Sequence, residues 1–310
     1  MSLFEAMKSI KKPILLIATI ATISVVLVMY CCKPKSTDPT NEIVIKGSDS
    51  ELNLMKFLSA EYQKKQDILF DISGGGTSKG IEAFIKGEVD IANASRLISD
   101  DELNEANKNG IHPVSYIIAS DVVAIITHPE VGVDSISMRQ LSKVLHGDIQ
   151  NWKELGGSDM AIKIYGRDHN SGTRHFLMQS LNCENFSDLH TGFKTNKEII
   201  DAVSKEKGAI GYVNLGSIVN KEGRPTDKIW AMNLYAEGIP SCSPYEKERV
   251  KNSEYLLTRP LIQYVNEKSD EKIIGFIRFE LQEEQQLNLE EHGFFHINEN
   301  HMNLNKKNGL

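Results

Sequence analysis

The chain has 310 residues, of which 40% are hydrophobic and 25% are charged, so it can bury a substantial core and form two lobes. Its formal net charge of −7 at neutral pH argues against a nucleic-acid partner, which would favour a basic face. An anionic ligand is still compatible with this acidity, because backbone N–H dipoles and buried arginines set the potential inside a cleft.

The N-terminal stretch has the layout of an export signal. Lys8, Lys11 and Lys12 precede an uncharged, mostly apolar run over residues 13–30. A charged start followed by an apolar centre is typical of signals that direct a protein across the cytoplasmic membrane. We therefore expect the folded part of the chain to lie outside that membrane, facing the periplasm or the cell exterior.

Two cysteines directly after the apolar run indicate a bacterial lipoprotein signal, with Cys31, or else Cys32, as the lipidated residue. Residues 1–31 would then be a signal and membrane-anchor segment. Tyr30 departs from the small residue that such signals place before the cysteine. An uncleaved signal anchor is the alternative, since the run is near the lower length limit for a bilayer span. Residues 32–41, with prolines and small polar side chains, are predicted to be a flexible tether.

Strand-like and helix-like patterns alternate along the rest of the chain, which indicates an α/β fold. Strands are predicted at residues 43–45, 68–72, 90–94, 115–118, 122–127, 162–165 and 209–213, with helical patterns between most of them. The Asn- and Lys-rich end of the chain, residues 299–310, is expected to be a disordered tail.

Small hydroxyl residues, glycines and arginines follow four of these predicted strands. The four stretches are Lys46-Gly47-Ser48-Asp49-Ser50, Ser73-Gly74-Gly75-Gly76-Thr77-Ser78-Lys79-Gly80, Asn93-Ala94-Ser95-Arg96 and Arg167-Asp168-His169-Asn170-Ser171-Gly172-Thr173-Arg174. Glycines allow a close backbone approach, so that successive N–H groups can point at one guest. Helix N-termini and the planar guanidinium groups of arginines both bind oxyanions favourably. Together the four strand ends predict one oxyanion site at the carboxyl edge of parallel sheets.

Each stretch taken singly has an ordinary structural interpretation. The three glycines would form a flexible turn, Ser48 and Ser50 would cap a helix, and Arg96 would be a solvated surface charge. Their joint occurrence at strand ends is what favours a binding site.

This set of motifs resembles the phosphate-binding proteins of phosphate ABC transporters, which are periplasmic or lipid-anchored solute receptors. The matching residues are Gly47-Ser48, Gly74-Gly75-Gly76-Thr77, Ser95-Arg96, Arg167 and Ser171-Gly172-Thr173-Arg174, with further similar phrases at residues 151–157, 208–213 and 258–261. The resemblance extends from about residue 43 to about residue 297, and its motifs are specific as a set rather than singly.

The resemblance implies a two-lobed, periplasmic-binding-protein-like (type II) α/β fold with a ligand cleft between the lobes. Lobe 1 would comprise residues 42–120 and 258–298, and lobe 2 residues 121–257. The apolar stretches at residues 114–126 and 256–265 would cross between the lobes. A receptor of this build closes its lobes over the ligand like a hinge.

The resemblance also implies a function: a monomeric extracytoplasmic receptor, with no cofactor and no enzymatic activity, that binds inorganic phosphate and delivers it to an ABC permease. The expected phosphate-binding residues are Ser48, Asp49, Ser50, Gly76, Thr77, Ser78, Ser95, Arg96, Arg167, Ser171, Gly172 and Thr173. One alternative is the same scaffold binding another oxyanion, such as sulfate or molybdate. Another is a phosphate sensor that presents captured phosphate to a membrane kinase.

Two positions depart from the family pattern and bear on selectivity. Some members hold a carboxylate in the pocket that accepts the proton of phosphate, and the matching position here is Arg96. The opening loop usually carries Ser-Thr after its glycine, whereas this chain has Ser48-Asp49. Asp49 would either accept the phosphate proton or cap the following helix, and the cap is slightly favoured.

A more remote alternative is an exported phosphohydrolase that uses Ser171 as nucleophile. Such a serine needs a base and an orienting acid, and it lacks the Gly-x-Ser-x-Gly elbow here. Cys183 and Cys242 would either pair or remain two free buried thiols. Neither a His-Glu-x-x-His nor a Cys-x-x-Cys motif is present in the sequence, so no metal site is predicted.

Overall fold

The computed structural model describes residues 41–220 and 225–310. The predicted signal segment, the lipid attachment at Cys31 or Cys32 and the tether up to residue 40 lie outside these residues. Within the described ranges, every helix is too short or too polar to span a membrane.

Strands and helices alternate as the sequence indicates. The strands are β1 (Glu42–Gly47), β2 (Leu69–Ser73), β3 (Ile91–Ala94), β4 (Pro113–Thr127), β5 (Ser135–Ser137), β6 (Lys163–Arg167), β7 (His190–Phe193), β8 (Ala209–Asn214), β9 (Trp230–Ala231), β10 (Asn233–Ala236), β11 (Ile239–Cys242) and β12 (Thr258–Asn266). The α-helices are α1 (Leu52–Gln63), α2 (Thr77–Ile85), α3 (Asp100–Lys108), α4 (Met138–His146), α5 (Gly172–Ser180), α6 (Asn196–Val203), α7 (Lys247–Lys251), α8 (Glu271–Glu280), α9 (Glu283–Asn288) and α10 (Glu299–Lys307).

One long strand, β4, belongs to both halves of the main sheet, whose order is β2-β1-β3-β12-β4-β8-β6-β7, with β9 also paired to β4. Residues 113–122 of β4 pair antiparallel with β12, and residues 123–127 pair antiparallel with β8. The two strands predicted at residues 115–118 and 122–127 are therefore one continuous strand. Strands β5, β10 and β11 form a separate small sheet.

The two halves have separate hydrophobic cores, and we call them lobe 1 (β1–β3, β12 and the first part of β4) and lobe 2 (β6–β8 and the last part of β4). Ile43, Leu54 and Phe276 lie in a buried cluster of lobe 1. Trp152 and Ile164 lie in the buried cluster of lobe 2. The protein thus has the two-lobed α/β architecture expected from its sequence.

Parallel pairing brings the hydroxyl-rich loops to common edges. In lobe 1, β1 runs parallel to both β2 and β3, so the loops that follow these three strands leave the same edge of the sheet. In lobe 2, β6 runs parallel to β7 and β8. The carboxyl end of β6 leads into α5, at whose start the Ser-Gly-Thr stretch lies.

Two residues of the family-like phrases, Trp152 and Gly208, help to build the core of lobe 2. The buried indole of Trp152 donates a hydrogen bond from Nε1 to the carbonyl of Gly208, at 2.9 Å. A Cβ atom at residue 208 would lie 2.1 Å from the carbonyl oxygen of Ala161, so only glycine fits there. Packing of this tryptophan therefore accounts for these two residues.

The prediction of a disordered tail at residues 299–310 is wrong, because this stretch contains helix α10, which packs against β4. The Asn305 amide donates to the carbonyl of Ile117 at 2.8 Å and accepts from its N–H at 2.9 Å. The Asn308 amide donates to the carbonyl of Ser115 at 2.8 Å, and the backbone carbonyl of Asn308 accepts from the Tyr116 hydroxyl at 2.7 Å. These side chains satisfy strand groups beside the register shift where β4 meets β12, which orders the helix despite its polar sequence.

Cys183 and Cys242 are both free and buried. The Cys183 thiol donates to the carbonyl of Asn185 at 2.9 Å and lies 3.2 Å from Nε2 of His146. In the described part of the chain, no group of three or more His, Cys, Asp or Glu side chains is arranged to hold a metal ion.

Candidate functional site

Three loops of lobe 1 are tied together at the carboxyl ends of their strands. The backbone N–H of Ser48 donates to the carbonyl of Asn93 at 2.9 Å, which docks the first loop on the third. The hydroxyls of Ser48 and Ser95 share a short hydrogen bond. The N–H of Ser95 donates to the Thr77 hydroxyl at 3.1 Å, and Thr77 begins α2 in the second loop. Three buried hydroxyls from three separate loops therefore lie side by side.

Lobe 2 contributes Arg167 and the N-terminus of α5. The Arg167 side chain is only 2% exposed, and its backbone N–H donates to the Tyr212 hydroxyl at 3.0 Å. Ser171 caps α5 by accepting from the N–H groups of Thr173 and Arg174. A helix N-terminus beside a buried guanidinium is a favourable place for an anion.

The two sets of loops touch each other directly, so the lobes are closed. The Ser50 hydroxyl of lobe 1 lies 3.3 Å from the Thr173 hydroxyl of lobe 2. A Cβ atom at Gly172 would lie 2.3 Å from Oγ1 of Thr77, and one at Gly76 would lie 2.7 Å from the carbonyl oxygen of Asn170. The two glycines thus permit a backbone approach that a side chain would prevent.

Asp49 faces the opposite lobe and does not cap α1, contrary to the interpretation that the sequence slightly favoured. Its Oδ2 lies 2.5 Å from Nη2 of Arg167, and its Oδ1 accepts from the N–H of Gly75 at 3.0 Å. The residue at the N-cap of α1 is Glu51, without a side-chain cap. The guanidinium and the glycine N–H attract the carboxylate away from the helix end.

Arg96 lies outside this cluster, where it forms an ion pair with Glu102. Its guanidinium makes two hydrogen bonds to Glu102, at 2.7 and 2.8 Å, and donates to the Ser78 hydroxyl at 3.2 Å. Glu102 also completes the capping box of α3 with Ser99. The structure therefore places Arg96 and Ser78 together beside the buried hydroxyls, with the charge of Arg96 already matched.

Arg259, which lies in the family-like phrase at residues 258–261, and Asp121 are two charged residues of the cluster that were not among the predicted site residues. Nη2 of Arg259 donates to the hydroxyls of Ser50 and Thr173, at 3.0 Å each, and to Oδ2 of Asp121 at 2.8 Å. Both charged side chains are buried. One signal was available: each is a lone charge inside an apolar stretch predicted to cross between the lobes.

Glu51 lies behind the hydroxyls and is completely buried. Burial raises its pKa well above the usual range, and the nearby positive charge of Arg259 only partly opposes this rise. The raised pKa favours a neutral carboxyl group, so Glu51 adds little negative charge to the site.

The cluster offers donors suited to an oxyanion. Nε of Arg167 and Nη1 of Arg259 are buried, and neither makes a hydrogen bond with any described residue. A buried guanidinium N–H without an acceptor is costly, which favours an anionic guest. Beside Asp49 and Ser50, a cavity of about 160 Å³ opens between the lobes, with Asn214 and Ser217 on its other wall. Glu291 also lines this cavity whereas Arg167 and Thr173 do not, so the cavity lies next to the donor cluster and not within it.

The hydrogen bonds around Ser171 do not make it a nucleophile. Its hydroxyl accepts from two backbone N–H groups of α5. The nearby His175 ring uses Nε2 to contact the carbonyl of His169, and Oδ1 of Asp168 accepts from the N–H of Asn170. In the described chain, no imidazole is hydrogen-bonded to Ser171 Oγ. The hydroxyl therefore has no contact with the general base that acyl or phosphoryl transfer needs.

Comparison with known proteins identifies the family. Residues 34–284 match the model described as the PBP superfamily domain. The phosphate-binding protein PstS of Borreliella burgdorferi is 27% identical over 93% of this chain and 99% of that protein. PstS of Staphylococcus aureus (strain bovine RF122) is 28% identical over 80% of this chain and 76% of that protein.

Solved structures agree in fold. A crystal structure of a phosphate ABC transporter substrate-binding protein with bound phosphate, from Clostridium perfringens, is 27% identical and superposes with a TM-score of 0.73. The matched region covers 83% of this chain and 100% of the chain in that structure. Because the family model covers most of the chain, the protein belongs to the PBP superfamily.

Proposed function

We propose that this protein is an extracytoplasmic receptor that binds inorganic phosphate and delivers it to an ABC permease. The observation that carries the proposal is the buried cluster at the cleft, in which Arg167 of lobe 2 contacts Asp49 of lobe 1 and the Thr173 hydroxyl lies beside that of Ser50, next to the paired hydroxyls of Ser48 and Ser95. Relatives named as phosphate-binding proteins, together with the phosphate-bound neighbour, support this choice of ligand.

The phosphate would be held by donors from both lobes. Arg167 would supply the charge-assisted contact, worth about 1.5–3 kcal/mol, whereas each hydroxyl would contribute about 1 kcal/mol. The N–H groups of Gly172 and Thr173, at the start of α5, would complete the shell. Because these donors come from both lobes, ligand binding and closure of the cleft would be coupled.

Asp49 would favour phosphate over sulfate. Each of its carboxylate oxygens accepts one hydrogen bond from the protein, which leaves a lone pair on each for a further donor. Monohydrogen phosphate has a proton to offer, whereas sulfate has none near neutral pH and would meet only repulsion. This carboxylate therefore counts against sulfate and molybdate as the main ligand.

Calorimetry of the purified full-length protein tests the ligand. We expect phosphate and arsenate to bind, and sulfate to bind weaker by about a thousandfold, since an unpaired carboxylate beside a desolvated lone pair costs several kcal/mol. Tighter binding of sulfate or molybdate than of phosphate would favour the other-oxyanion alternative. A phosphate sensor would show the same binding but co-purify with a membrane kinase instead of permease subunits.

The proposal requires a receptor outside the cytoplasm, anchored as a monomer through a lipidated Cys31 or Cys32. It requires no cofactor and no enzymatic activity. Mass spectrometry of the membrane-extracted protein should find a diacylated N-terminal cysteine. An intact segment of residues 1–30 would contradict the lipoprotein proposal and favour an uncleaved signal anchor.

A further inference from the structure

Arg259 and Asp121 form a buried ion pair between the two strands that meet at the boundary of the lobes. They are direct register partners in the antiparallel pairing of β12 with β4. The Arg259 side chain is 1% exposed and that of Asp121 is fully buried. Asp121 lies two residues before the point, at Val123, where β4 changes its partner from β12 to β8.

The guanidinium is oriented by Asp121 and reaches both lobes. Its Nε and Nη2 both donate to Oδ2 of Asp121, at 3.1 and 2.8 Å, so one edge of the planar fork is fixed. Nη2 also donates to Ser50 of lobe 1 and Thr173 of lobe 2. One nitrogen thus links the boundary strands to a hydroxyl on each side of the cleft.

These contacts determine which way the two hydroxyls can act. Nη2 has two hydrogens, of which one is directed to Asp121, so the second is shared between the two hydroxyl oxygens. Since a guanidinium only donates, each hydroxyl keeps its own hydrogen free. The 3.3 Å between Ser50 Oγ and Thr173 Oγ1 is longer than a usual O–H···O hydrogen bond, so neither hydrogen is well used by the other hydroxyl. Both hydrogens remain available to a ligand.

We propose that Arg259, fixed by Asp121, is a positioning residue that turns the Ser50 and Thr173 hydroxyls into donors toward the bound oxyanion. The inference rests on the proposed function and deepens it. It assigns these two hydroxyls to the unprotonated oxygens of phosphate and leaves Asp49 as the acceptor for the phosphate proton. Selectivity against sulfate then comes from Asp49 and not from these hydroxyls.

A purely structural ion pair is the competing explanation, since buried pairs also occur without a role in binding. The two explanations differ in whether Arg259 and Thr173 act together. If Arg259 works through the Thr173 hydroxyl, removing that hydroxyl makes the arginine less important. If the pair only supports the fold, the two substitutions act independently.

A double-mutant cycle measures this difference by calorimetric titration of the full-length protein with inorganic phosphate. The variants are Arg259→Lys, Thr173→Val and the combination. Lysine keeps the charge but lacks the fork that holds Asp121 and both hydroxyls at once. We expect each single variant to bind phosphate about tenfold weaker, and the combination to be within about threefold of the weaker single variant.

Arg249→Lys is the matched control. Arg249 contacts two carboxylates, those of Glu254 at 2.6 Å and Glu246 at 3.1 Å. Replacing its guanidinium with an ammonium group should leave the affinity for phosphate unchanged. Losses that multiply in the combination, or an Arg259→Lys affinity within about twofold of wild type, would overturn the inference. If wild type itself fails to bind phosphate, the proposed function fails instead.

Folding is checked separately by thermal unfolding of each ligand-free variant. Should Arg259→Lys lose its cooperative transition, Arg259→Gln replaces it in the same cycle, with the same expected non-additivity. Loss of folding in both variants would count against the inference, because it would assign the ion pair to the fold.

Discussion

Arg167 of lobe 2 and Asp49 of lobe 1 are joined across the cleft, with 2.5 Å between Nη2 and Oδ2. The arginine side chain is almost fully buried, and the aspartate is 14% exposed. Asp49 is fixed in turn by the N–H of Gly75. The pair fixes the orientation of the guanidinium and balances part of its charge.

We predict that Arg167→Ala weakens phosphate binding more than Thr173→Ala does. The arginine makes a charge-assisted contact in a buried site, worth about 1.5–3 kcal/mol, whereas the hydroxyl is worth about 1 kcal/mol. The dissociation constants of the two variants should therefore differ by about threefold to thirtyfold. Calorimetric titration measures both, and equal losses would contradict the placement of Arg167 as the main anion contact.

Asp49→Asn should relax the discrimination against sulfate. The substitution removes the negative charge that repels sulfate, while the amide oxygen can still accept from Gly75 or from Arg167, the NH2 group being only a donor. We expect the ratio of sulfate to phosphate affinity to rise by about tenfold or more. The ratio comes from competition titrations of the variant and the wild type. An unchanged ratio would show that Asp49 does not face the ligand.

Gly172→Ala should hinder closure of the cleft. Its Cβ atom would lie 2.3 Å from Oγ1 of Thr77 and 3.1 Å from Cβ of Ser95. Overpacking of this kind costs about 1–3 kcal/mol, so phosphate affinity should fall by about tenfold.

Gly275→Ala is a suitable control for this substitution. It lies in a helix of lobe 1, where the added Cβ would meet only the Tyr62 hydroxyl, at 3.1 Å. Calorimetry should find wild-type affinity for this variant. Wild-type affinity in Gly172→Ala as well would mean that the lobes need not approach so closely.

Glu280→Gln should stabilise the protein more at pH 8 than at pH 5. Burial raises the pKa of Glu280 well above its usual range, and the hydrogen bond from Gln263 only partly opposes this rise. Below the unfolded pKa of about 4.3, both states hold the proton. Above it the folded state keeps a proton that the unfolded chain has lost, so wild-type stability falls as pH rises toward the folded pKa.

Glutamine cannot ionise, so the variant escapes this loss. Melting temperatures of wild type, Glu280→Gln and the exposed control Glu283→Gln should be compared at both pH values. The control should follow wild type. An equal shift of Glu280→Gln at pH 5 and pH 8 would contradict the raised pKa.

The positions of strands along the chain and the location of the hydroxyl loops could be predicted because they depend on local patterns. Apolar runs such as residues 43–45 and 209–213 became strands β1 and β8, and the glycine- and hydroxyl-rich loops follow strands as expected. The helical end of the chain was missed because its order comes from Asn305, whose amide bonds to β4 far away in sequence. Polar composition alone carries no sign of that contact.

The site was predicted less completely than the fold, because its charges are partnered over long distances in sequence. Asp49 contacts Arg167, which lies 118 positions away, only once the loops are folded, so this partner could not be assigned from spacing. Arg259 belongs to the apolar stretch at residues 256–265, which was expected to cross between the lobes. Its contact with Thr173 spans 86 positions and no motif encodes it.

The most direct measurement is competition between sulfate and phosphate for the wild-type protein at equal concentrations near neutral pH. Phosphate should remain bound, because Asp49 can accept its proton and would only repel sulfate. Displacement of phosphate by equimolar sulfate would contradict the assignment of this protein as a phosphate receptor.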